Sequence, residues 1–107
     1  MQHIRPAQLA DWLQRDVDER PLLLDVREPW EYARCHIAGA VLMPMHTLPA
    51  RLHELPRERD IVVICHHGVR SFYAGRLLEL NGFARVINLS GGVDAWAREV
   101  DPTMPTY

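Results

Sequence analysis

A chain of 107 residues, 48% hydrophobic and 24% charged, has the size and composition of a single soluble globular domain. It buries roughly two-thirds of its unfolded surface on folding and needs neither disulfide nor metal to hold a core. A net charge of −2 argues against nucleic acid or an anionic membrane as the main partner.

No stretch approaches the about 18 apolar residues of a membrane span. The opening Met1-Gln2-His3-Ile4-Arg5-Pro6 lacks an apolar signal core. The expectation is a cytoplasmic protein. Cys35 and Cys65 lie far apart and form no metal- or redox-type pair, so both are expected as free thiols, with Cys35 an inert packed residue.

In chain order, a short strand is weakly signalled around Ile4. Pro6 suits a first helical turn and puts Leu9, Trp12 and Leu13 on one face. Leu22 to Val26 reads as an apolar strand, and Pro29 opens a small helix carrying Trp30, Tyr32 and Ala33. Ala40 to Met43 is a second strand, stopped by Pro44. Thr47 is placed as the N-cap of a short helix through Leu52.

Ile61 to Cys65 is a run of β-branched residues ending on cysteine, the pattern of a strand buried on both faces. The helix from Ser71 to Leu80 shows Tyr73, Leu77 and Leu80 at helical spacing, with Ala74 and Leu78 beside them. Asn81-Gly82 is its C-cap. Val86 to Leu89 is the next strand. Ser90-Gly91-Gly92 turns into a last helix with Val93, Trp96 and Ala97 inward. The alternation predicts one α/β domain spanning 1–107, with a parallel sheet of four to five strands and helices on both faces. Its core is expected over about 4–98, with a loose tail at 101–107.

Ligand sites of such sheets lie beyond the carboxyl ends of the strands. Asp25 and Arg27, the run Cys65 to Arg70, and Ser90-Gly91-Gly92 are all placed there. A thiol at Cys65 faces free backbone N–H groups and the positive end of a helix dipole, a setting that stabilises negative charge on sulfur. Arg70 adds a planar fork of donors suited to an oxyanion. The expected site is therefore Cys65 as nucleophile, with His66, His67, Gly68, Val69, Arg70 and Arg27 around a small anion. Asp25, Ser71, Gly91 and Gly92 are structural supports nearby. An internal Asp25–Arg27 ion pair is the other reading of that pair. No metal and no cofactor are expected, because adjacent side chains such as His66 and His67 usually diverge.

The segments Leu23-Leu24-Asp25-Val26-Arg27-Glu28-Pro29-Trp30-Glu31-Tyr32, His36-Ile37-Ala38-Gly39-Ala40, the Cys65 loop and Gly91-Gly92-Val93-Asp94-Ala95-Trp96 resemble, in order and spacing, the single-domain rhodanese family of sulfurtransferases. The resemblance implies a three-layer rhodanese-like domain. It also implies that Cys65 carries a sulfane sulfur as a persulfide, from thiosulfate or a persulfide donor to a thiophilic acceptor (cyanide, a thiol or a thioredoxin-like partner). Cys35 and Ala38 stand where the family usually has glycine and proline. Two other readings remain. Cysteine-dependent phosphatases that share the fold use a C-x5-R loop, one residue longer than Cys65-x4-Arg70. A non-catalytic binding module of this type is expected to lack the cysteine.

Overall fold

The computed structural model describes residues 1–107. Five strands alternate with five helices: β1 (Gln2–Ile4), α1 (Pro6–Trp12), β2 (Leu22–Asp25), α2 (Pro29–Arg34), β3 (Val41–Leu42), α3 (Leu48–Arg51), β4 (Ile61–Ile64), α4 (Val69–Leu80), β5 (Val86–Leu89) and α5 (Gly92–Glu99). The strands form one sheet in the order β1-β5-β4-β2-β3, every neighbouring pair parallel.

All four residues of β4 are buried, and their side chains alternate between the two faces of the sheet. Ile61 and Val63 pack with Leu24, Leu48, Ala74, Leu78 and Val86 on one face. Val62 and Ile64 pack with Leu9, Leu23, Ile37, Ile87, Val93 and Trp96 on the other. Helices α3 and α4 thus cover one side, and α1 and α5 the other. Each such side chain contributes about 1.5–3 kcal/mol on burial, which explains why a strand with no polar face is the most strongly specified element.

Two expectations change. Tyr73 and Leu80 are 61% and 76% exposed, and the face of α4 turned to the sheet carries Ser71, Ala74, Gly75 and Leu78. Ser71, Ala74 and Gly75 are small because helix and sheet approach closely there, and Leu78 fills the core beside them. A β-carbon on Gly75 would sit 2.8 Å from the Met1 sulfur and 3.2 Å from Val86 Cγ1. The tail, expected to be loose, folds back instead. Met104 and Tyr107 pack at the edge of the second core cluster, and the Tyr107 ring stacks on His66 at 3.8 Å between centroids.

Topology positions the site. After β2 the chain moves outward to β3, and after β4 it moves the opposite way to β5. The loops leaving the carboxyl ends of β2 and β4 therefore diverge, and such a switch point leaves a crevice between them. Val26 closes its base by donating to the Ile64 carbonyl at 3.0 Å.

Candidate functional site

Cys65 follows β4 directly and is buried, 1% exposed. The chain then makes a tight loop to Gly68, whose left-handed backbone (φ +99°) starts α4. That conformation aims the Gly68 N–H at Cys65 Sγ, 3.0 Å away. The backbone N–H groups of His67, Val69 and Arg70 in the same loop and first helical turn meet no protein acceptor. The loop thus offers Sγ one N–H directly and holds three more backbone donors free beside it.

The loop is braced from β5. Ser71 Oγ accepts from the Cys65 thiol at 3.3 Å and donates to Asn88 Oδ1 at 2.5 Å. Asn88 in turn donates through Nδ2 to the Gly68 carbonyl at 3.1 Å. A third support is the start of α5, where Val93 and Asp94 donate to the carbonyls of Cys65 and His66 at 3.0 and 3.1 Å. Gly92 makes that approach possible. It has φ +60°, and a β-carbon there would overlap the carbonyls of Cys65 and His66. The expected convergence of the β4 loop with the Ser90-Gly91-Gly92 turn is present.

Arg70 reaches across the crevice to α2. Its Nη1 and Nη2 donate to Glu31 Oε1 and Oε2 at 2.7 and 2.8 Å. Glu31 is buried, and Arg70, with help from the Glu28 backbone, holds its carboxyl down at about 2. The Tyr107 hydroxyl donates to Glu31 Oε2 at 2.8 Å and accepts from Arg27 Nη1 at 2.8 Å. Burial pushes that hydroxyl up to about 12, so it stays protonated and can bridge both.

Arg27 does not join an anion site. It is fully buried, and its five N–H groups are committed to protein acceptors. Nε and Nη2 pair with the Asp25 carboxylate at 2.7–3.1 Å. The remaining bonds go to the Cys35 and Glu31 carbonyls and to Tyr107. A guanidinium so enclosed has no donor left for a substrate, and the internal ion pair is the arrangement found. Asp25 serves this structural pair.

Of the remaining loop residues, Val69 points outward, 63% exposed. His66 lies between His67 and Tyr107, with ring centroids 3.8 Å from each. Burial, then His67, lowers its pKa below the ordinary 6.5, so it is neutral at neutral pH, and its Nε2 is buried without a hydrogen-bond partner. The two histidines do not diverge as expected. Together with Asp94 they bring three potential metal-ligand atoms within 4.8 Å, although Arg98 already holds the Asp94 carboxylate at 3.0 Å. A separate depression of about 540 Å³, lined by Leu13, Leu23, Ile37, Trp96 and Met104 among others, contains no residue of the Cys65 loop.

Sequence reasoning missed Asn88, Glu31 and Tyr107. Asn88 had a signal, a polar residue inside the otherwise apolar run Val86-Ile87-Asn88-Leu89. The pairings of Glu31 with Arg70 and Tyr107 span 39 and 76 residues and leave no local mark.

A buried cysteine that accepts a backbone N–H at the switch point of a parallel sheet defines a cysteine-centred α/β domain. Residues 9–99 match the model of the Rhodanese-like domain, and the chain belongs to that family. It is 46% identical over 80 residues to a sulfurtransferase of Allochromatium vinosum, covering 75% of each chain. It is 39% identical over 106 residues to a probable adenylyltransferase/sulfurtransferase, MoeZ, of Mycobacterium tuberculosis, covering 97% of this chain but only 26% of that one. The crystal structure of a rhodanese-like domain protein from Staphylococcus aureus superposes with a TM-score of 0.85 at 30% identity, covering 100% of this chain and 99% of that one. These relationships support a sulfurtransferase or sulfur-carrier role. No helix is long and apolar enough to cross a membrane.

Proposed function

We propose that the protein is a sulfurtransferase in which Cys65 is the nucleophile. It takes the outer sulfur of thiosulfate or of a persulfide, holds it as Cys65–S–S⁻, and passes it to cyanide, a thiol or a thioredoxin-like acceptor in the cytoplasm. The observation that carries this reading is the 3.0 Å bond from the Gly68 N–H to Cys65 Sγ, within a loop whose neighbouring N–H groups have no other acceptor. Fixed dipoles of this kind stabilise the anionic sulfur through the whole cycle without reorganising.

The reaction needs no general base at the sulfur-accepting step. The Cys65 thiolate attacks the outer sulfur, the donor's S–S bond breaks, and sulfite or a thiolate leaves with the electron pair. Gly68 and its neighbours in the His66 to Arg70 loop bind the added sulfur, while Ser71 and Asn88 keep the loop in shape. The test is thiocyanate formation from thiosulfate and cyanide, alongside thiol release from an organic persulfide. Activity lost in Cys65→Ser and kept in Cys35→Ser is the expected result. Activity that survives Cys65→Ser overturns the assignment.

A further inference from the structure

Glu31 takes two of the five N–H donors of the Arg70 guanidinium and matches its charge. Both terminal nitrogens are paired end-on with the Glu31 carboxylate at 2.7 and 2.8 Å. That carboxylate cannot swing away easily, because Oε1 also accepts the Glu28 N–H at 2.9 Å and Oε2 the Tyr107 hydroxyl at 2.8 Å. The next cation inward, Arg27, is cancelled by Asp25. The two ion pairs nearest the Cys65 loop thus sum to zero charge, and backbone N–H groups are what attracts an anion there.

Such a site suits a donor of low charge. Thiosulfate brings two negative charges and three sulfonate oxygens that seek a free guanidinium, whereas an organic persulfide brings at most one charge at its sulfurs. Beside the loop, Tyr107 also borders an open depression formed with Trp30, Ala33, Arg34 and Pro105. Trp30 is 62% exposed, and its ring meets Tyr107 edge-on at 5.7 Å. Arg34 at the rim of this apolar shelf makes no ion pair.

We infer that Glu31 is the residue that determines donor specificity: by capping Arg70 it turns the site away from thiosulfate and towards carboxylate-bearing organic persulfides, whose carbon skeleton lies on the Trp30–Tyr107 shelf with the carboxylate at Arg34. The inference rests on the proposed sulfur transfer through Cys65. The step balances as Cys65–S⁻ plus R–S–SH giving Cys65–S–SH plus R–S⁻. One S–S bond forms as another breaks, and the released thiolate takes a proton from water.

The test compares kcat/KM for thiosulfate and for N-acetylcysteine persulfide in wild type, Glu31→Gln and Glu31→Gln/Arg70→Gln. Wild type is expected to favour the persulfide by at least about tenfold. Glu31→Gln frees the guanidinium, and the thiosulfate-to-persulfide ratio is expected to rise about tenfold. The double variant should lose that gain, since it depends on Arg70. A wild-type preference for thiosulfate, or a ratio unmoved by Glu31→Gln, overturns the inference even if Glu31→Gln folds poorly, because the wild-type preference is read independently. Failure of the underlying reading looks different: neither donor then turns over in a Cys65-dependent way.

Discussion

Asn88 binds the Gly68 carbonyl from one end of its side chain and the Ser71 hydroxyl from the other, so β5 fixes the shape of the loop that leaves β4. The Gly68 N–H points at Cys65 because its peptide plane is held, and Asn88 helps hold it through the Gly68 carbonyl. Asn88→Ala leaves the buried Ser71 hydroxyl without its acceptor. A cost of about 1–3 kcal/mol is expected in denaturant unfolding. The rate of sulfur loading should fall roughly tenfold, as expected when fixed electrostatic groups lose their alignment. Unchanged loading in a folded Asn88→Ala protein would remove Asn88 from the site.

Two glycines separate backbone strain from steric fit. Gly39 has φ +87° with nothing within 4 Å of an added β-carbon, whereas Gly92 has φ +60° and would overlap the Cys65 and His66 carbonyls. Gly39→Ala should cost about 1 kcal/mol from backbone strain alone and leave sulfur transfer intact. Gly92→Ala should cost more and abolish transfer, since α5 must retreat from the loop. Urea midpoints and turnover measured together check this, and similar behaviour of the two variants would contradict it.

The sheet was legible because β4 and β5 are apolar throughout their buried faces, Asn88 excepted, and hydrophobic runs of that length have few other uses. Cys65 was legible from its place between that strand and a glycine. The inward face of α4 was legible only at Ala74 and Leu78, because spacing rules weigh large apolar residues, and the rest of this contact is made by Ser71 and Gly75. Whether Arg27 meets an anion or an internal carboxylate is not legible in the sequence, since only the fold shows that all its donors are consumed. The docking of Tyr107 lay hidden because the turn-prone Pro102 to Pro105 stretch resembles a free end, and its partners Glu31 and Arg27 are remote in sequence.

Acid should weaken the fold through Glu31. Its carboxyl ionises at about 2 in the folded protein, against an ordinary 4.5. A lowered folded-state value stabilises above pH 4.5, and that stability is lost as pH falls from 4.5 towards 2. After allowing for the half-exposed Arg70 partner, the contribution is on the order of 2 kcal/mol. Denaturant midpoints across this range should fall less steeply in Glu31→Gln than in wild type. Parallel profiles would show that the Arg70–Glu31 pair does not couple to folding.

Phosphatase activity should be negligible. The Cys65-x4-Arg70 loop is one residue shorter than the C-x5-R loop of cysteine-dependent phosphatases. Turnover of p-nitrophenyl phosphate that requires Cys65 and rivals sulfur transfer would reverse this reading.

The most direct measurement is the intact mass of the protein after brief incubation with a sulfane-sulfur donor, thiosulfate in one arm and N-acetylcysteine persulfide in the other. Wild type and Cys35→Ser should each gain one sulfur atom from at least one donor and lose it on adding cyanide or dithiothreitol, while Cys65→Ser gains none. A sulfur atom retained by Cys65→Ser, or carried only when Cys35 is present, would contradict the central role given to Cys65.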